Sequence, residues 1–191
     1  MKVFRSLLIV SSVLLLNCFS IFSQTDYLGL QKISLEGTDY LLRWSSKTKS
    51  GRYLEEFLRK SESMVRFESK VIVECTPEGA EVEKEENQLM TKLSLQKEQN
   101  IVFSFKKIDP LKDGELWIEY VQGNVQGGRT FILEWNIARI RQVGERVVLF
   151  RYLHRTYKDE LDAFMKNVEK KRNEWLKNAA DFRIESVSVK N

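Results

Sequence analysis

Few residues of this chain are of the types that carry out catalysis. His154 is the single histidine, and Cys75 is one of two cysteines. A thiolate–imidazole pair would require the fold to bring these two side chains together and a third group to orient the imidazole. Cys75 closes the apolar run 71–75, a setting typical of a small buried hydrophobe. We therefore predict no catalytic residue from the sequence.

Metal and phosphate motifs give no stronger signal. One histidine and one or two cysteines cannot fill the four positions of a zinc site. Glu83, Glu85 and Glu86 cluster, but they lack the spaced aspartates and the turn glycine of a calcium loop. Residues 123–128 read GNVQGG, which differs from the dinucleotide-binding GxGxxG and joins two predicted antiparallel strands. We predict no metal and no cofactor.

A cluster of arginines with interleaved aromatic residues is the most distinctive local feature. Guanidinium groups gathered at one end of a sheet would hold an anionic ligand or lipid headgroups. The alternative is that these charges protect a sheet edge from aggregation. The candidate ligand-binding residues are Arg139, Arg141, Arg146, Arg151 and Arg155.

The first residues predict export. Lys2 and Arg5 precede an apolar stretch over 7–16, and a polar segment with small residues ends at Ser23. This three-part order is that of a signal peptide, and the apolar stretch is shorter than the roughly 20 residues of a membrane span. We expect residues 1–23 to be removed and residues 24–191 to form a single domain. The mature part then has nearly balanced charge, which argues against nucleic acid as a partner.

Cys18 offers a second end for the leader. Leucines at positions 14–16 and Asn17 precede it, an order that partly matches a lipoprotein signal, although Asn17 stands where Gly, Ala or Ser is usual. Lipidation at Cys18 would give membrane association through a lipid anchor. The predicted location is thus periplasmic or secreted, with a membrane-anchored lipoprotein as the alternative.

The remaining pattern predicts an α+β fold. Apolar residues alternate at period two over 101–106, 116–121, 131–138 and 147–152, with short turns between, which indicates an antiparallel meander. An apolar stripe at helical spacing predicts a long helix over 157–178, with Thr156 as its N-cap. Residues 51–60 fit a shorter N-terminal amphipathic helix, and residues 80–99 a surface helix. We expect an antiparallel sheet of about five to seven strands packed by the long and the shorter helix.

Residues 56–63, followed by Phe67 and the strand 70–73, form a layout of aromatic residue, polar turn, second aromatic and extended strand. This layout, with the later runs 101–106 and 116–121, resembles small exported bacterial domains of unknown function. The chain departs from them in the turn, where Arg59 and Ser61 stand in place of the common Pro and Gly. The resemblance implies a periplasmic setting and assigns no catalytic residue.

Taken together, these features favour a non-enzymatic binding or interaction domain of the bacterial envelope. Its partner would be another envelope protein, or an anionic or apolar ligand held by the sheet face or the arginine-rich end. Two alternatives stay open. Carboxylates that converge only in the fold would make the protein a hydrolase, and acylation of Cys18 would make it a structural lipoprotein component.

Overall fold

Alternating apolar residues generate the strands of one large sheet. The computed structural model describes residues 24–126 and 129–190. Within them lie eight strands: β1 Lys32–Leu35, β2 Thr38–Lys47, β3 Tyr53–Arg59, β4 Ser69–Cys75, β5 Val102–Ile108, β6 Leu116–Gln126, β7 Arg129–Val143 and β8 Arg146–Tyr157.

The strands pair antiparallel in the order β1-β2-β3-β4-β8-β7-β6-β5, and the sheet curls into a half-barrel. The runs that alternate most clearly in the sequence, β5 to β8, are neighbours in space in the same order as in the chain. Because β4 pairs with β8, the last strand of that meander joins the two halves of the sheet. The antiparallel α+β class is therefore confirmed, with mostly β structure.

The predicted helix over 51–60 is wrong, since these residues form β3. This strand lies between β2 and β4 and is covered on both faces, so both sets of alternating positions are rich in apolar residues. Tyr53, Leu54, Phe57 and Leu58 then imitate the spacing of a helix. Glu55 strengthens the resemblance to an amphipathic helix, because a charged residue is expected on an exposed face. In the structure it lies inside the strand with 0% exposure.

The expected sheet of five to seven strands is wrong for the same reason. Four strands, β1 to β4, precede residue 76 and join the four strands of the meander, so the described residues form eight strands. The predicted architecture of a long helix and a short N-terminal helix on a smaller sheet is thus replaced by two helices on a half-barrel.

The two helices cover opposite faces of the sheet. Helix α1, Val82–Glu98, buries Leu93 against Ile118, Ala138 and neighbouring residues. Helix α2, Leu161–Asp181, buries its apolar stripe, including Trp175, in the larger core. We call these surfaces the α1 face and the α2 face. Because burial of apolar side chains is the dominant favourable term in folding, both faces contribute to stability.

Helix α2 begins later than predicted. Thr156 is still part of β8, and a short 3-10 turn, Lys158–Glu160, intervenes before the helix. Glu160 occupies the N-cap position without a capping hydrogen bond from its side chain. The Thr156 hydroxyl contacts the Glu160 carboxylate at 3.4 Å instead. The predicted capping role of Thr156 is therefore wrong, although the predicted helix itself is present.

The two ends of the described chain lie side by side. The backbone amides of Ser188 and Lys190 donate to the carbonyls of Leu28 and Tyr27 at 3.2 and 2.8 Å. Residues 24–30 and 187–190 thus close one edge of the α2 face. The predictions of a signal peptide over residues 1–23 and of lipidation at Cys18 fall outside the described residues.

Candidate functional site

Strand register places a row of polar side chains across the α2 face. Tyr40 of β2 is opposite Arg59 of β3, and Ser69 of β4 is opposite His154 of β8. His154 is in turn opposite Trp135 of β7. Side chains directly opposite each other in a sheet share one face. The fold therefore gathers residues from five strands into one band.

A cavity of about 670 Å³ lies between this band and helix α2. Tyr40, Tyr152 and His154 line it from the sheet, and Trp175 and Asn178 line it from the helix. Volumes of roughly 300 to 1,000 Å³ are typical of small-molecule sites in proteins. The cavity is therefore large enough for a small organic ligand.

Three buried polar atoms among the residues that line this cavity make no hydrogen bond within the described part of the chain. They are Nε of Arg59, Nε2 of His154 and Oδ1 of Asn178. The side chains of His154 and Asn178 belong to residues only 9% and 2% exposed. An unsatisfied buried polar group costs about 1–3 kcal/mol, so native proteins rarely keep several at one place without a function.

His154 is held in an aromatic enclosure. Its ring stacks on Trp175 with centroids 3.7 Å apart and an angle of 13°. Tyr152 meets it edge-on at 4.8 Å. Burial, together with the positive charges of Arg59 and Lys171, lowers the pKa of His154 to about 3. The imidazole is therefore neutral at physiological pH, with one nitrogen donating and the other accepting hydrogen bonds.

The tyrosines beside it form a hydroxyl network. The Tyr40 hydroxyl lies 2.8 Å from Oγ of Ser69 and 3.4 Å from the hydroxyl of Tyr152. Burial, followed by the proximity of Tyr40, raises the pKa of Tyr152 well above its usual range. The Tyr152 hydroxyl therefore stays protonated and can bind a polar group, but it is a poor base.

The opposite end of the α2 face is closed by a buried ion pair. Arg139 donates from Nε and Nη2 to the Glu115 carboxylate at 2.8 and 2.6 Å. Its Nη1 bonds the carbonyls of Ala179 and Phe182, where α2 ends. Trp117 donates to the same carboxylate at 2.8 Å. Since α2 has no basic residue in its last turn, Arg139 supplies the cation that this helix end favours.

The structure separates the five predicted ligand-binding arginines. Arg139, Arg141 and Arg146 lie on the α2 face. Arg141 pairs with Glu185 at 2.5 Å, and Arg146 pairs with Glu78 at 2.7 Å.

The other two arginines lie on the α1 face. Arg151 pairs with Glu74, and Arg155 pairs with Glu134 at 2.5 Å. The five side chains are thus divided between two faces, and each contacts a carboxylate. Binding of an anion by this set as a whole stays a prediction.

Cys75 and His154 are far apart on the sheet. Ser69, the partner of His154, is six residues from Cys75 on β4, a separation of about 20 Å along a strand. Cys75 is a buried free thiol whose pKa is raised by burial. The interpretation of Cys75 as a small buried hydrophobe is therefore confirmed, and these two residues form no dyad.

No group of three or more potential metal ligands occurs within residues 24–126 and 129–190. In the acidic cluster of α1, Glu85 bonds Arg52 at 2.8 Å and Glu86 contacts Lys107. Over the same residues, neither helix has the length and apolar character needed to cross a bilayer.

Arg59, Tyr40 and Asn178 line the cavity but are not among the site residues that the sequence predicts. Arg59 and Tyr40 are neighbours because β2 pairs with β3, and the sequence pattern of β3 predicts a helix instead of a strand. One signal was present in the sequence: Tyr152, His154 and Thr156 place three polar residues at period two on a face that a long apolar helix must cover.

Comparison with known proteins gives a family but no established activity. No curated protein matches the chain. Among solved structures it is similar to human StAR-related lipid transfer protein 5, with 9% sequence identity over 73% of this chain and 85% of that chain. The TM-score is 0.27, and this likeness carries no argument about fold or ligand. Residues 30–184 match one family model, and the chain therefore belongs to that family of uncharacterised proteins.

Proposed function

We propose that this domain binds a small molecule in the cavity between helix α2 and the half-barrel. The observation that supports it is that three residues with an unpartnered buried polar atom, Arg59, His154 and Asn178, line one cavity of about 670 Å³. A ligand that met these atoms would recover hydrogen bonds that folding alone leaves unmade. The aromatic rings around His154 would supply apolar contact area.

Binding is favoured over hydrolysis by the chemistry of these atoms. They belong to a guanidinium, a neutral imidazole and an amide, and none of them is a carboxylate. A carboxylate-dependent hydrolase needs an acid and a base poised at the reacting bond. The unpaired groups at this cavity are instead suited to recognition by hydrogen bonds.

A small-molecule screen by thermal shift tests this proposal. We expect a ligand to raise the unfolding temperature of the wild-type protein, because binding to the folded state alone adds stability that grows with ligand concentration. His154→Phe keeps the stacking on Trp175 and removes the polar nitrogens, so it should abolish that shift.

Asn178→Leu tests the buried amide at the cavity in the same way, and Asn136→Leu is its matched control. Asn136 is 1% exposed, has an unpartnered Nδ2 and lies on the α1 face, next to Leu153 rather than His154. Loss of the ligand shift in the Asn178 variant alone supports the proposal. Equal shifts in all variants, or a screen without any hit, would contradict it.

We also propose that the domain functions after export. The support is the sequence pattern of residues 1–23 and the resemblance described above. Intact-mass measurement of the protein from its native host gives the test: a chain that begins at Gln24 supports export, and a chain that retains Met1 contradicts it. A lipid adduct that is lost on Cys18→Ala would instead support the lipoprotein alternative.

A further inference from the structure

Two arginines at the cavity differ in how firmly they are paired. Arg155 donates from Nε to Glu134 at 2.6 Å and stacks over the ring of Phe67 at 3.8 Å. Glu134 is 6% exposed, so this pair is buried. Arg155 therefore already has its counter-ion and a fixed position.

Arg59 has much weaker partners. The hydroxyl of Tyr40 is a hydrogen-bonding neighbour of its guanidinium. Its ion pair among the described residues joins Nη1 to the Glu68 carboxylate at 3.2 Å, and the Glu68 side chain is 81% exposed. Its buried Nε has no partner among the described residues. Exposed ion pairs contribute little to stability, because water competes for both charges. The guanidinium of Arg59 thus keeps free donors while Glu68 is held only loosely.

The surroundings of Arg59 make an anion the complementary ligand. Lys166, Lys170 and Lys171 line the same cavity from α2 and form no ion pair in the part of the chain that the structure describes. Arg59 also lines an adjoining cavity of about 510 Å³, so its side chain is accessible from two sides. Exposed Glu36, Glu160 and Glu174 at the mouth reduce the positive potential but are free to turn toward water.

We propose that the ligand carries an oxyanion, a carboxylate or a phosphate ester, which binds Arg59 in place of the Glu68 carboxylate. This inference rests on the proposed binding function and names the ligand class for the same cavity. The planar fork of a guanidinium matches the oxygens of either group through two parallel hydrogen bonds. The body of the ligand then lies against the His154–Trp175 stack, and Asn178 Oδ1 accepts a hydrogen bond from it.

Calorimetric titration with four probes tests the ligand class. Phenyl phosphate and benzoate carry the two oxyanions on the same ring, benzamide is the neutral counterpart of benzoate, and inorganic phosphate is the anion without a ring. We expect one of the two aromatic anions to bind at least about tenfold more tightly than benzamide. Whichever anion binds more tightly identifies the headgroup.

Three variants test the role of Arg59 with the tighter probe. Arg59→Gln should weaken binding about tenfold or more, because the charged fork is lost. Glu68→Gln should strengthen binding about threefold, since it removes the competing carboxylate at an exposed position. Arg43→Gln is the control. This substitution removes the same charge as Arg59→Gln, and Arg43 lies on the neighbouring strand β2 and lines neither of the two cavities that Arg59 lines.

The possible results separate the two proposals. If benzamide binds as tightly as the anions, or if Arg59→Gln and Arg43→Gln behave alike, the oxyanion assignment is overturned. A neutral or cationic hit from the broad screen that His154→Phe abolishes would then still support the cavity as a binding site. Weaker binding by Glu68→Gln would likewise overturn the displacement of Glu68. Circular dichroism of each variant shows whether a loss of binding reflects loss of fold.

Discussion

The buried polar groups at the two ends of the α2 face differ in whether they have hydrogen-bond partners. At the end near residue 182, Arg139 and Glu115 satisfy each other, the indole of Trp117 and the last carbonyls of α2. Beside the cavity, His154 carries a buried atom without a partner, and so does Asn178, which directly precedes Ala179 in α2. One helix covers both ends, so the difference does not come from packing against different elements. The network in which every group has a partner holds α2 in place, whereas the groups without partners can form hydrogen bonds with a ligand.

Removal of Arg139 gives the largest expected effect. Arg139→Ala leaves the buried Glu115 carboxylate with only the more distant Arg141, at 3.7 Å, as a counter-ion and frees two helix carbonyls. The unfolding free energy should therefore fall by about 3–5 kcal/mol. Urea denaturation followed by circular dichroism measures the change. The double variant Glu115→Leu with Arg139→Met should recover much of the loss. Arg141→Ala, at a side chain 28% exposed, serves as the control; a loss as large as that of Arg139→Ala would contradict the assigned role.

The pH dependence of stability reports on the open end. The His154 pKa of about 3 lies below its unfolded value of 6.5, so the unfolded chain binds an extra proton between these values. Stability from this residue is therefore present above pH 6.5 and is lost as the pH falls towards 3. Between pH 6 and pH 4 the wild type should lose about 2.5 kcal/mol more than His154→Phe. Parallel curves for the two proteins would show that His154 is not buried as described.

Glu55 shows a third arrangement on the same face, half satisfied. Its Oε1 accepts from the amides of Tyr27 and Leu28 at 2.6 and 3.1 Å, while Oε2 has no partner within the described chain. Burial, with a smaller contribution from the charge of Asp26, raises the pKa of Glu55 to about 7, although the two backbone hydrogen bonds act in the opposite direction. The carboxyl group therefore holds Tyr27 and Leu28 in place, while its burial disfavours its ionised form.

The Glu55→Gln variant tests this arrangement. Because the folded pKa lies above the model value of 4.5, the folded state binds the extra proton, and stability from Glu55 is lost as the pH rises through 7. Glutamine keeps the accepting oxygen without the charge. The advantage of the variant over the wild type should therefore grow by about 2 kcal/mol from pH 5 to pH 8. This sign is opposite to that for His154, and an advantage that shrinks as the pH rises would contradict it.

The sequence is a good guide to the elements but a poor guide to the site. Alternating β-branched and aromatic residues between short turns identify β5 to β8, and the apolar stripe ending at Ala179 identifies α2. Strand β3 was not predicted because Tyr53, Leu54, Phe57 and Leu58 stand at the spacing of an amphipathic helix as well as in a strand. The sequence does not predict Arg59 at the site, because its neighbours Tyr40 and Ser69 lie on β2 and β4. These strands come next to Arg59 only when β3 pairs with them in the sheet. The period of apolar residues determines the type of each element, whereas the strand register determines which side chains become neighbours.

The smallest effect on stability is expected from Asn178, and it gives the sharpest test of the comparison. If its Oδ1 is unpaired in the ligand-free protein, Asn178→Leu removes a polar atom that contributes no hydrogen bond. Stability should then change by less than about 1 kcal/mol, in contrast to the loss at Arg139. The same variant should lose the ligand-induced thermal shift. A large loss of stability would mean that an ordered water already completes the network at this end, and both ends of the α2 face would then be structural.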